Sequence, residues 1–214
     1  MNFILDIDGT LWDTTEIVAE AWNDATEAVG LGNSLGRFIT GDMLKKEFGK
    51  PMDEIIDDLY PNQDSRLKSE ILIAVKKYES IAIRSCTADL AFPNVSDTCR
   101  MLCEAGHSLF IVSNCQEGYI ELVMDILEIR DYISDYESFG VTGLPKSKNI
   151  ELVCNRNKFA QNTTVYVGDT LGDYKATCEA GLPFVFASYG FGEMESDYDG
   201  YSISSFDELL SFFI

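Results

Sequence analysis

Short apolar segments alternate with helix-like repeats along much of this 214-residue chain. Segments with the length and composition of buried strands are residues 3–7, 108–112, 164–167 and 183–187, and a weaker strand is predicted within 132–139. Helices are predicted between these strands, with a closing helix over 203–214. Strands that alternate with helices in this way indicate a parallel, doubly wound sheet covered on both faces, which is an α/β fold.

Residues 13–85 break this alternation, because they show helical spacing and no strand-like run. A glycine-rich loop is predicted at 31–39. The four helices predicted around it begin at residues with start signals, which are Asp13 (with Glu16), Thr40, Pro51 and Ser65. We therefore expect an all-helical domain, residues 13–86, inserted into a core made of residues 1–12 and 87–214.

The surface is expected to be strongly acidic, since 36 acidic residues outnumber 16 basic ones and the net charge is −20. A surface of that sign repels nucleic acid and anionic membranes, so neither is an expected partner. A phosphate site on this protein must therefore supply its own positive charge. The six cysteines lack C-x-x-C spacing, the N-terminus lacks the features of a signal peptide, and no run of 18 apolar residues occurs. We therefore predict a cytoplasmic protein without a membrane span.

Two aspartates stand at the end of the first predicted strand. Asp6 and Asp8 project to the same side of the strand, about 6.6 Å apart for two rises of roughly 3.3 Å. Carboxylates this close repel each other, and their burial without a partner costs several kcal/mol. A cation held only by oxygen ligands at a strand end is typically Mg²⁺. Gly9 then allows a sharp turn. The alternative is a strand that ends in solvent with both aspartates exposed.

Polar residues also follow two other predicted strands. Ser113-Asn114 follows the strand at 108–112, and Gly168-Asp169-Thr170 follows the strand at 164–167, with Asp173 one helical turn later. Lys146 lies between them in the chain, just before a predicted helix. Each of these features alone is typical of a turn, a helix cap or a solvated lysine. Ligands of parallel sheets bind outside the carboxyl ends of the strands, so the features together predict one site.

These residues resemble a known set of motifs. The segment DIDGTL, the pair SN, the lysine of GLPK and the segment VGDTLGD resemble, in that order, the four motifs of haloacid-dehalogenase-superfamily phosphatases. The helical insert is similar to the C1 cap of phosphoglycolate-phosphatase-like members. The resemblance covers essentially the whole chain. It implies a Rossmann-like doubly wound parallel core, residues 1–12 and 87–214, with an inserted all-helical C1 cap, residues 13–86.

The resemblance also implies a role for each site residue. Asp6 would be the nucleophile that forms an aspartyl-phosphate, and Asp8 would be the general acid and base. The implied Mg²⁺ ligands are Asp6, Asp8 through its backbone carbonyl, and Asp169, with Asp173 in support. The implied phosphate-binding residues are Gly9, Thr10, Ser113, Asn114 and the catalytic Lys146. Lys148 competes for the role of Lys146, because Ser147-Lys148 replaces the Lys-Pro or Lys-Gly pair common among relatives.

The expected function is Mg²⁺-dependent hydrolysis of a small phosphomonoester, a phosphorylated metabolite, through an aspartyl-phosphate intermediate. Asp8 favours an oxygen leaving group, because dehalogenating relatives lack the second aspartate. One alternative is a phosphomutase of the β-phosphoglucomutase type, and another is a non-catalytic phosphate-binding or regulatory protein. Lys50, at a turn between two cap helices, is either a solvated lysine or a specificity residue that meets a second anionic group of the substrate. We expect a monomer or a homodimer.

Overall fold

The computed structural model of the protein describes residues 1–30, 38–196 and 198–213. Most of the loop predicted at 31–39 therefore lies outside the described residues. The strands are β1 (Asn2–Leu5), β2 (Ser108–Ser113), β3 (Ile133–Ser138), β4 (Thr164–Gly168), β5 (Phe184–Ala187) and β6 (Tyr201–Ile203). The helices are α1 (Thr15–Ala28), α2 (Gly41–Lys45), α3 (Met52–Leu59), α4 (Ser65–Ile83), α5 (Val95–Glu104), α6 (Tyr119–Ile126), α7 (Phe139–Thr142), α8 (Lys146–Asn157), α9 (Leu171–Glu179) and α10 (Glu208–Phe213). No helix among these described residues is long and apolar enough to span a membrane.

The six strands form one parallel sheet in the order β3-β2-β1-β4-β5-β6. From β1 the sheet extends through β2 to β3 on one side and through β4 and β5 to β6 on the other. The order of the sheet therefore reverses between β1 and β4, where doubly wound sheets bind their ligands. Phe3 is paired with Leu109 on one side and Val165 on the other, and in this register β2 continues two residues and β4 one residue past the end of β1. The predicted α/β, Rossmann-like fold is confirmed.

One face of the sheet packs on α8. Ile4 of β1, Phe110 of β2 and Tyr166 of β4 form a buried cluster with Ile150 and Val153 of α8. The Tyr166 hydroxyl donates to the Val112 carbonyl (2.7 Å), so the one polar group of this ring is satisfied inside the core. Fully burying aliphatic and aromatic side chains of this size contributes about 1.5–3 kcal/mol each. This cluster fixes the start of α8, and with it Lys146, against the strands that carry the aspartates.

The described chain divides into two compact units, residues 1–13 with 87–214, and residues 14–86. The second unit contains α1 to α4, and its described residues contain no strand. Inside it, the Trp22 indole N–H of α1 donates to the buried carboxylate of Glu79 on α4 (2.8 Å). Asp13, which the sequence pattern places in the helical insert, lies in the first unit. Its backbone N–H donates to the Leu90 carbonyl (3.0 Å), and α1 begins only at Thr15, with Thr14 at the N-cap.

Several element bounds differ from the prediction. Strand β6 was not predicted, because its three residues include an exposed Tyr201 and show no apolar run. Helix α8 begins at Lys146 instead of Ser147, since Pro145 occupies its N-cap. Helix α9 begins at Leu171, five residues before the predicted Ala176, because Thr170 and Asp173 form a capping box there.

Candidate active site

The site begins where β1 ends. The Asp6 backbone N–H donates to the Val167 carbonyl (2.9 Å), so the chain continues along β4 for one residue after the strand and holds the Asp6 carboxylate at the sheet edge. This carboxylate is 1% exposed. The Lys146 ammonium donates to Asp6 Oδ1 (3.0 Å), and the buried Ser113, at the end of β2, acts to lower the pKa of Asp6 against the larger effect of burial. Residues from three chain segments therefore converge on Asp6, as the sequence predicted.

Lys146 bridges Asp6 to a second carboxylate. Its ammonium also donates to Asp173 Oδ1 (2.5 Å), and Lys146 itself is 5% exposed. Asp173 is held by the first turn of α9, where its other oxygen accepts from the Thr170 backbone N–H (3.0 Å) and hydroxyl (2.7 Å). Burial lowers the pKa of Lys146, but Asp173 and Asp6 outweigh burial, and the net shift is upward. The lysine is therefore held as a cation.

Asp169 completes a cluster of three buried carboxylates. Oxygen atoms of Asp6, Asp169 and Asp173 lie within 4.8 Å of one another. Burial raises the pKa of Asp6 to about 6, with Lys146 opposing the shift and Asp173 adding to it. Burial, together with the Asp173 and Asp6 carboxylates, also raises the pKa of Asp169 well above its ordinary value. One lysine thus faces three carboxylates, and two negative charges stay uncompensated when all three are ionised.

This donor set fits a divalent cation. Carboxylate oxygens are the ligands that Mg²⁺ prefers, and a doubly charged ion would balance the two uncompensated charges. The raised pKa values of Asp6 and Asp169 show that the folded protein penalises their ionised forms, and a cation would remove that penalty. The carboxylate of Asp8 is outside the cluster, so only its backbone carbonyl is a candidate ligand.

Two glycines, Gly9 and Gly190, leave the space that the Asp169 side chain occupies. Gly9 has φ +81°, and a Cβ on it would lie 2.1 Å from Asp169 Oδ2. A Cβ on Gly190 would lie 2.3 Å from Asp169 Cβ and 2.3 Å from the Gly9 carbonyl. The Phe191 backbone N–H donates to Asp169 Oδ2 (2.8 Å). Gly190 and Phe191 were not predicted as site residues, although the glycine spacing of the segment after β5 was visible in the sequence.

The turn after Asp8 uses its own polar groups. The Gly9 N–H donates to the Trp12 carbonyl (3.0 Å), and the Thr10 N–H donates to the Ile7 carbonyl (3.1 Å). Both N–H groups close the turn, and a phosphate-binding role for Gly9 and Thr10 stays a prediction. Thr10 contributes in another way, since its hydroxyl donates to Asp169 Oδ1 (3.4 Å) and its carbonyl accepts from the Tyr189 hydroxyl (2.8 Å).

Asp8 is partly exposed and has two donors that sequence reasoning missed. The Trp12 indole N–H (3.1 Å) and the Tyr119 hydroxyl (2.6 Å) both donate to its Oδ1. Burial raises the pKa of Asp8 to about 7, against the opposing effect of the Tyr119 hydrogen bond. A carboxyl group with a pKa near neutrality is suited to give and take protons at that pH.

The remaining predicted residues separate into those near Asp6 and those elsewhere. Asn114 directly follows Ser113 at the end of β2. Lys148 is not with Asp6, because its ammonium bonds to the exposed Glu151 on the same helix (2.8 Å), which leaves Lys146 as the lysine of this site. Lys50, in the helical unit, has its ammonium bonded to Glu47 (2.6 Å) and Asp58 (2.7 Å).

A sequence model of the haloacid dehalogenase-like hydrolases matches residues 3–187. The chain belongs to this family. Among curated relatives, a phosphoglycolate phosphatase of Nitrosospira multiformis is 26% identical over 203 residues, covering 92% of this chain and 86% of the relative. A phosphoglycolate phosphatase of Vibrio vulnificus is 24% identical over 215 residues, covering 89% of this chain and 84% of the relative.

Solved structures agree with this family assignment at the level of the fold. A haloacid dehalogenase-like hydrolase of Streptococcus pneumoniae superposes with a TM-score of 0.84 at 19% identity, covering 100% of this chain and 98% of that one. The family and the named relatives together support a phosphatase enzyme of the haloacid dehalogenase superfamily.

Proposed function

We propose that this haloacid dehalogenase-like protein is a Mg²⁺-dependent phosphatase that hydrolyses a small phosphomonoester through an aspartyl-phosphate on Asp6. The observation that carries the proposal is the buried ion cluster, in which Lys146 contacts Asp6 and Asp173 while Asp169 lies within the same 4.8 Å group. Uncompensated charges in a buried cluster are costly, and a bound cation would offset that cost. The cluster lies at the reversal point of the sheet, where doubly wound sheets bind their ligands.

The ion would be held by Asp6, the Asp8 carbonyl and Asp169, with Asp173 in support, and it would supply positive charge to the phosphoryl oxygens. Lys146, Ser113 and the Asn114 N–H would bind the same oxygens. A carboxylate oxygen of Asp6 attacks phosphorus, and the ester P–O bond breaks as Asp8 gives its proton to the leaving oxygen. Asp8 then takes a proton from a water molecule that attacks phosphorus, and the Asp6–phosphorus bond breaks to release phosphate.

Hydrolysis is favoured over the mutase alternative by the way Asp8 is held. Both of its donors, Trp12 and Tyr119, belong to the same compact unit as Asp8 itself. The two donors are thus supplied by the unit that carries Asp8. A base held in this way can activate water as soon as the aspartyl-phosphate forms, whereas a mutase must preserve that intermediate for return transfer. We also infer a cytoplasmic location, since the cysteines that the structure describes are not joined in disulfides.

The substrate proposal comes from the relatives, whose names specify phosphoglycolate. We place this chain's substrate in the same class, a small phosphomonoester that carries a carboxylate. Lys50 stays the predicted contact for that second anion. Its ammonium is already shared by two carboxylates of the helical unit, so a substrate carboxylate has to compete with Glu47 and Asp58.

The test measures phosphate release from 2-phosphoglycolate and a panel of sugar phosphates, with Mg²⁺ and with EDTA, and identifies products by phosphorus NMR. We expect free phosphate, dependence on Mg²⁺, and a loss of several orders of magnitude in Asp6→Asn, which keeps the shape but removes the anionic nucleophile. An isomeric sugar phosphate as the product would establish the mutase instead. Absence of turnover on every substrate would leave a binding or regulatory protein. An Asp6→Asn variant that keeps more than about a tenth of the activity would refute the assignment of the nucleophile.

A further inference from the structure

Both hydrogen bonds to the Asp8 carboxylate reach the same oxygen. The Trp12 indole N–H and the Tyr119 hydroxyl donate to Oδ1, at 3.1 and 2.6 Å, and neither donates to Oδ2. The indole nitrogen is a donor only, so its bond requires an acceptor at Oδ1. A protonated carboxyl group accepts best at its carbonyl oxygen and carries its proton on the other one. The proton of neutral Asp8 is therefore directed to Oδ2.

Tyr119 is itself fixed in place. It is the first residue of α6 and follows Gly118, whose φ of +82° turns the chain into the helix. The loop before it packs closely on α7, because the Gly140 N–H donates to the Cys115 carbonyl (3.0 Å) and a Cβ on Gly140 would lie 2.2 Å from the Glu117 nitrogen. The Tyr119 ring is 6% exposed and meets the Trp12 ring edge-on at 6.0 Å.

We propose that Tyr119 and Trp12 are positioning residues that orient Asp8 so that Oδ2 carries the proton exchanged with the leaving group and with water. This inference rests on the proposed phosphatase function. In this proposal Tyr119 acts through Asp8, whose Oδ1 accepts from its hydroxyl. Its hydroxyl is required for two steps, protonation of a poor leaving group and activation of water, and it is not required when the leaving group departs without a proton.

Two kinds of substrate distinguish attack by Asp6 from the steps that need a proton transfer by Asp8. Release of p-nitrophenolate needs no proton, so its pre-steady-state burst reports attack by Asp6 alone, and the later steady-state rate reports water activation. An alkyl phosphate needs the proton in the first step. General acid–base catalysis typically accelerates a reaction 10²- to 10⁴-fold. Tyr119 supplies one of the two hydrogen bonds that position Asp8, so we expect its loss to slow the steps that need Asp8 by about 10- to 100-fold.

The experiment compares wild type, Tyr119→Phe and a matched control, Tyr136→Phe. The control removes a hydroxyl that also donates to a carboxylate, Glu121 (3.1 Å), in the same unit but away from Asp8. Tyr119→Phe keeps the ring that packs on Trp12. We expect its kcat on an alkyl phosphate to fall by about 10- to 100-fold with KM within about twofold. Its p-nitrophenolate burst should stay within about twofold of wild type, while the steady state after the burst slows. The control should leave all of these rates unchanged.

Equal losses in the burst and in alkyl-phosphate turnover would show a merely structural role and overturn the proposal, as would no loss in either. A second variant, Trp12→Phe, removes the other donor to Oδ1 and should give the same pattern. A burst that falls as much as alkyl-phosphate turnover in that variant would also count against the shared role. If wild type itself releases no phosphate from any substrate, the proposed function fails instead, and that outcome is distinguishable because it precedes any comparison of variants.

Discussion

Replacement of Asp169 by asparagine should stabilise the metal-free protein while abolishing its response to Mg²⁺. Asp169 lies within 4.8 Å of both Asp6 and Asp173, and the pKa of Asp169 is raised by burial and by these two carboxylates. The ionised form of Asp169 therefore destabilises the folded state. An asparagine keeps the shape and an oxygen that can accept from the Phe191 N–H, but it removes the charge.

The size of the effect follows from Coulomb's law. Two unit charges about 4.8 Å apart repel by roughly 3.5 kcal/mol at an effective dielectric constant of about 20. Asp169→Asn removes two such repulsions and loses one attraction to Lys146, so the net gain is about one repulsion, or roughly 2–3 kcal/mol after the hydrogen bonds to the amide readjust. For a protein of this size 1 kcal/mol corresponds to about 2–4 °C, which predicts a rise in Tm of about 4–12 °C in EDTA.

Thermal unfolding in EDTA and in saturating Mg²⁺ tests this prediction. Wild type should gain about 2.7 kcal/mol at a Mg²⁺ concentration of roughly 100 times Kd, and Asp169→Asn should gain far less. The matched control is Asp173→Asn, the same chemical change on a carboxylate that contacts Lys146 at 2.5 Å. On the same scale the 2.5 Å contact with Lys146 contributes about 6.6 kcal/mol, which offsets the two repulsions that this variant also removes, so its Tm in EDTA should not rise. A lower Tm for Asp169→Asn in EDTA, or the same sign for both variants, would refute the reasoning.

Three further predictions concern the surroundings of the site. In a phosphate-release assay, Lys146→Met should reduce kcat by at least about 100-fold, since a fixed cation in such a site contributes several kcal/mol. The control Lys148→Met loses only an exposed ion pair with Glu151 and should stay within about twofold of wild type. Gly190→Ala should destabilise the protein by about 1–3 kcal/mol and lower its affinity for Mg²⁺, because the new Cβ would lie 2.3 Å from the Gly9 carbonyl and from Asp169. The control Gly172→Ala, whose Cβ would lie 3.4 Å from the Thr170 hydroxyl, should be neutral or stabilising in thermal unfolding. Lys50→Ala should lower kcat/KM on 2-phosphoglycolate by about 10- to 150-fold, the effect of a charge-assisted contact of about 1.5–3 kcal/mol, and should spare p-nitrophenyl phosphate; equal kinetics on both substrates would leave Lys50 as a solvated lysine.

The sequence was sufficient to predict a parallel sheet and five of its six strands. Apolar runs of four to six residues between helical repeats are typical of buried parallel strands, and β1, β2, β4 and β5 all lie where the runs predicted them. In a parallel sheet the carboxyl ends of adjacent strands meet at one edge. Once the strands were placed, Asp6, Ser113 and Asp169 therefore had to converge, and Lys146 could be assigned to them by its position before α8.

Residues whose role depends on the path of a turn could not be predicted in the same way. The Gly9 and Thr10 N–H groups close the turn on the Trp12 and Ile7 carbonyls, which the sequence pattern did not indicate. Gly190 matters because of the volume that its missing Cβ leaves for Asp169, and a sequence records no such distance. Strand β6 was missed because three residues at a sheet edge, one of them the exposed Tyr201, carry too little hydrophobic pattern to be distinguished from a loop.

The most informative miss is the pair of donors on Asp8. Trp12 is fully buried, but its indole N–H still needs an acceptor, and the nearby Asp8 carboxylate provides one. Tyr119 lies 111 residues after Asp8, on a helix whose apolar spacing did not indicate the site. A buried aromatic residue with a polar group can therefore belong to the core and orient a catalytic carboxylate at the same time. In the proposed mechanism, that dual position links the packing of Trp12 and α6 to the proton transfers of hydrolysis.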